Sequence, residues 1–99
     1  MAYESGDLDA TLAAAAGEDP ALMAELRSAF AESVERQIDL LRRSRCDANW
    51  HVAAQRLKGV AASFCADGLI RIADEAIEAA PGDPVVIRKA DRFLAELSR

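Results

Sequence analysis

The stretch AAQRLKGVAASF, Ala53 to Phe64, decides how this chain is read. At about 100° per residue, a helix running through it places Trp50, Ala53, Leu57, Val60, Ala61 and Phe64 on one side. That side is a core face. His51, Gln55, Lys58, Gly59 and Ala62 fall within roughly 100° of one another on the opposite side and are expected to face solvent. Arg56 points to the flank. Gly59 is the odd member of the exposed stripe, because glycine in a helix interior costs about 1 kcal/mol relative to alanine. Two readings fit it: a partner that needs a flat surface beside position 55, or a flaw tolerated by an Ala-rich helix.

Working outward, punctuation and period divide the sequence into five helical stretches, and nothing reads as a strand. The first is expected from about Leu8 to Ala16, capped by Asp7, closed by Gly17 and laid as a lid across one end. In EDPAL, Asp19 suits an N-cap and Pro20 the first helical position, opening a long helix to about Arg43. Its stripe is Met23, Leu26, Phe30, Val34, Ile38 and Leu41. Asp47 is expected to cap a third helix, from about Ala48 to Cys65, with Asp67-Gly68 as the turn that ends it. A fourth runs from Leu69 to about Ala80 and buries Leu69, Ile72, Ala76 and Ile77. In PGDP, Asp83 caps and Pro84 opens a fifth, striped by Ile87, Ala90, Leu94 and Leu97. Short connections predict an all-α, up-down-up-down four-helix bundle with a short N-terminal helix. The two Asp-Pro starts are no internal repeat, because their flanks do not recur.

Composition agrees and sets limits. The chain has 99 residues, which supports a single domain, 1–99, and excludes a second one. Twenty-two of those residues are Ala, which favours closely packed helices with thin stripes of larger side chains. A net charge of -5 argues against a sequence-independent grip on nucleic acid and against an acidic membrane surface. Arg42, Arg43 and Arg45 gather where the second helix ends, and capping of its C-terminal dipole accounts for them. Cys46, Cys65 and the single His match no zinc or disulfide spacing, so the cysteines are expected as reduced, partly buried thiols. The start MAYESGDLDA lacks the features of a signal peptide and no apolar run reaches membrane-span length, so the chain reads as cytoplasmic.

The run Ala54-Gln55-Arg56-Leu57-Lys58-Gly59, continued by Ala61, Ala62, Ser63, Phe64 and later Leu69, resembles the core motif of histidine-containing phosphotransfer (HPt) domains of bacterial two-component phosphorelays. That motif is roughly A-H-x-L-K-G-s-a, and the five-segment layout is similar to an HPt bundle over nearly the whole chain. The resemblance implies a face that docks response-regulator receiver domains or a sensor histidine kinase. In the family the His takes a phosphoryl group from a receiver aspartate through a loose, in-line transition state, where positioning and charge neutralisation dominate. Lys58 and Gly59 match the places that meet phosphoryl oxygens and leave room for the receiver's magnesium-bearing pocket. The magnesium belongs to the receiver; no cofactor is implied for this chain.

The departure is at the centre, where Gln55 stands in place of the phospho-accepting His. A carboxamide nitrogen is delocalised into its carbonyl and is no nucleophile toward phosphorus. The resemblance therefore implies fold and docking face, with His51, Gln55, Arg56, Lys58, Gly59 and Ala62 as the surface, and no phosphotransfer through position 55. An alternative uses His51, one turn earlier, which shifts the reactive nitrogen by about 5.4 Å along the axis. Another is a structural bundle that dimerises, with the motif as a relic.

Overall fold

Aspartate followed by proline starts two helices, and in both the geometry is the one the residues dictate. Asp19 Oδ1 accepts from the Ala21 and Leu22 amides at 3.0 and 3.3 Å, and Asp83 Oδ1 accepts from Val85 and Val86 at 2.9 and 3.4 Å. Each cap satisfies amides that have no intrahelical partner, and the proline behind it occupies a position whose missing N–H loses nothing. The computed structural model describes residues 6–98, with side chains from Leu8. It has five helices: α1 (Gly6–Ala16), α2 (Pro20–Arg43), α3 (Asp47–Ser63), α4 (Asp67–Glu78) and α5 (Pro84–Leu97). No strand occurs among the described residues.

Three termini differ from the sequence expectation. α1 is already wound at Gly6, so Asp7 is not the residue before its first turn, and the Asp7 side chain lies outside the described residues. α3 begins at Asp47 itself; the N-cap is Cys46, which makes no side-chain cap bond, and Asp47 serves instead as an acid in the positive first turn. Asp67 and Gly68 open α4 and do not close α3. The chain reverses one turn earlier. Cys65 takes a left-handed φ of 54°, its amide donates to Ala62 O at 3.1 Å, and the Ala66 amide donates to Ala61 O at 2.9 Å. That pair of bonds is a Schellman closure, with cysteine in the place usually given to glycine. Gly17, with φ of 66°, closes α1 as its residue type suggests.

The core takes Leu8, Leu12 and Ala16 from α1, and Phe30, Val34, Ile38 and Leu41 from α2. α3 contributes Trp50, Ala53, Ala54, Leu57 and Ala61, and α4 contributes Leu69, Ala73 and Ala76. On α5 the buried arc is Val86, Ala90, Phe93 and Leu97, which leaves Ile87 and Leu94 half-buried on its flank. Met23, Leu26, Val60, Phe64, Ile72 and Ile77 are likewise flanking, not central. Both cysteines are free and exposed, a correction to the partly buried thiols expected. They sit in the connections before and after α3, outside the packed faces.

α2 packs against α1, α3 and α5, and α4 packs against α3 and α5. α3 and α4 share the most extensive interface. Alanines make this contact close: Ala54 and Ala61 of α3 and Ala73 and Ala76 of α4 are all fully buried. The indole N–H of Trp50, at the start of α3, donates to Ala76 O near the end of α4 at 2.7 Å, which fixes the two helices lengthwise. Arg27 ties three elements, donating to Asp9 of α1 at 3.0 Å and to Leu97 O of α5 at 3.4 Å. Arg42, read from sequence as a helix-end cation, instead pairs with Asp91 of α5, while Arg43 pairs with Asp39 one turn back at 3.0 Å.

Candidate functional site

From Ala48 to its end, α3 carries no acidic residue, although the chain as a whole is acidic. Its outward stripe is therefore neutral to basic. The burial pattern separates the two faces predicted for this helix: Trp50, Ala53, Leu57 and Ala61 are buried, while His51, Gln55, Arg56, Gly59 and Ala62 are exposed. Lys58 lies half-exposed at the border with α4. Gln55 and Lys58, three residues apart, are neighbours on one side of the helix.

Two contacts organise the stripe. The Gln55 carboxamide nitrogen lies 3.4 Å from His51 Nε2, one turn earlier, which joins the motif position to the single histidine. The Lys58 ammonium reaches Asp74 of α4 at 2.9 Å. Lys58 thus spans the seam between α3 and α4, and its charge is largely answered within the chain.

Gly59 is resolved by its surroundings. A Cβ built there meets nothing within 4 Å, so no close helix packing requires a glycine. Its carbonyl accepts from Ser63 Oγ at 2.9 Å, an ordinary bond back to the preceding turn. The cost of about 1 kcal/mol is therefore not offset by any contact inside the molecule.

Sequence reasoning passed over several residues of this surface. Val52 is 49% exposed on the same stripe, and Leu40 of α2 is 36% exposed opposite it. With Arg43, Ser44, Asn49 and Arg56 they line an open cleft between α2 and α3. The signal for Val52 was available, since it lies three residues before Gln55 and so on the polar side. Leu40 had none, because its exposure depends on where α3 ends its cover of α2. Asp74 was equally silent, being one of several acids on α4.

Among the described residues no three His, Cys, Asp or Glu side chains come together as a metal-binding group, and no helix is long and apolar enough to cross a membrane. Comparison with protein-family models, with curated proteins and with solved structures gives no match.

Proposed function

We propose that the chain is a docking module of a bacterial two-component phosphorelay, built as an HPt-like up-down-up-down bundle with α1 across one end. It binds a response-regulator receiver domain or a sensor histidine kinase through His51, Gln55, Arg56, Lys58, Gly59 and Ala62 and does not itself carry the phosphoryl group. The observation that supports this most is Gly59: an exposed helical glycine with open space around it, beside Gln55 and Lys58. A helix gains nothing internally from that glycine, and a partner's surface approaching position 55 does gain.

The chemistry follows from the side chains. Transfer from an aspartyl phosphate breaks a P–O bond at the receiver carboxylate and forms a bond from the incoming nucleophile to phosphorus. Gln55 has no lone pair available for that bond. The module therefore acts by occupancy, competing with phosphotransfer partners for the receiver face. Its working compartment is then the cytoplasm, and neither nucleic acid nor membrane is among its partners.

Titration with isotope-labelled protein and unlabelled receiver domains tests this. Amide shifts concentrated at His51, Gln55, Gly59 and Ala62 are expected. Shifts confined to α1 and α5 would remove the proposal.

A second reading is supported by the contact between Gln55 and His51. His51 is exposed, and the carboxamide N–H that its Nε2 accepts steadies the ring but occupies that nitrogen's lone pair, so Gln55 must release the nitrogen before it attacks phosphorus. On this reading the receiver docks one turn lower and the phosphoryl passes to His51. Acid-labile, base-stable label that disappears in His51→Ala would establish it, and label that survives that substitution would exclude it.

A further inference from the structure

The exposed stripe of α3 has two unlike flanks. On the α4 side Lys58 is paired with Asp74 at 2.9 Å. On the α2 side the open cleft is lined by Leu40, Arg43, Ser44, Asn49, Val52 and Arg56, with no carboxylate among them. Arg43 is held by Asp39, but the side chain of Arg56 forms no ion pair among the described residues. In a chain of net charge -5 this is a local excess of uncompensated positive charge beside two exposed aliphatic side chains.

We propose that the docking partner centres on this cleft and not over Lys58, and that it presents an apolar side chain flanked by carboxylates on one helix face. The inference rests on the docking role proposed above and specifies its partner. The apolar side chain covers Leu40 and Val52, burying area that is now wet; the carboxylates meet Arg56 and compete with Asp39 for Arg43. Charge complementarity selects this occupant over the others. A second copy of the chain packing cleft to cleft about a two-fold axis would set one arginine-bearing, carboxylate-free cleft against another. A nucleic acid would meet the arginines but leave Leu40 and Val52 without apolar cover, against the repulsion of an acidic chain. Lys58 contributes less, because a partner must compete with Asp74 for its ammonium.

The test uses the full chain and, as probes, the receiver domains and sensor histidine kinases encoded in the same genome, with affinity measured by calorimetric titration. Val52→Asp and Arg56→Glu are each expected to weaken binding by about tenfold, and Lys58→Ala by less than about threefold. Leu40→Ser reads the same cleft from α2, and helical circular dichroism checks that each variant is folded. Binding that is unaffected by the cleft substitutions but lost in Lys58→Ala overturns this inference and leaves the docking role standing. Failure of every receiver domain and every sensor histidine kinase of that genome to bind the unmodified chain overturns both.

Discussion

The Lys58 ammonium and the Asp74 carboxylate, 2.9 Å apart across the seam between α3 and α4, make the motif lysine a structural strut as well as a surface charge. Both side chains are close to half exposed, so the pair contributes at most about 1 kcal/mol to stability. On the proposed docking role its larger effect is on recognition. With the partner centred on the α2 side, Asp74→Asn is expected to strengthen binding of an acidic receiver by less than about threefold through unmasking Lys58, while urea unfolding shifts by less than about 1 kcal/mol. A gain of about tenfold or more in that variant would place the centre of the footprint over Lys58 and not on the α2-side cleft.

Gly59 separates stability from function. With open space where its Cβ would be, Gly59→Ala removes the helix penalty and strains nothing. Chemical denaturation is expected to show a gain of about 0.5–1 kcal/mol, and receiver titration a loss of affinity. A variant that is more stable and binds equally well would make the glycine a tolerated flaw.

Cys65 offers a second gain. It is the left-handed residue of the turn after α3, where any side chain with a Cβ is strained and glycine is not. Cys65→Gly is expected to stabilise the fold by roughly 0.5–1 kcal/mol in urea unfolding. A loss of stability would show that the cysteine side chain contributes contacts outweighing the strain.

Trp50 is the lengthwise pin between α3 and α4. Trp50→Phe removes the indole bond to Ala76 O and leaves a partly filled space. That carbonyl retains the Ala79 amide at 3.1 Å, so the expected cost is about 1–3 kcal/mol and the chain still folds, as read by circular dichroism during denaturation. A negligible change would mean that the bond adds nothing to the core it sits in.

Residues whose chemistry acts locally were legible in the sequence. Asp19-Pro20 and Asp83-Pro84 fix helix starts by capping alone, and Gly17 fixes an end by its freedom at positive φ. The two faces of α3 followed from spacing, since Trp50 and Leu57 are too apolar and Gln55 and Arg56 too polar to exchange sides. What stayed hidden depends on neighbours. Ala54 is fully buried because α4 comes close there, and alanine gives no sign of which way it faces. On α5, Val86 and Phe93 bury while Ile87 and Leu94 flank them, a rotation set by how α2 and α4 both press on that helix. The end of α3 was missed because Cys65 fills a conformation normally announced by glycine. At the candidate site Val52 was readable and overlooked, while Asp74 and Leu40 become relevant only once α2 and α4 are in place.

Incubation of the chain with a phosphorylated receiver domain it binds, beside Gln55→His, tests most directly whether a docking face persists here without its nucleophile. The unmodified chain is expected to acquire no acid-labile, base-stable label, and Gln55→His is expected to acquire it. Label on the unmodified chain, or a folded Gln55→His that binds the receiver yet stays unlabelled, would contradict the account.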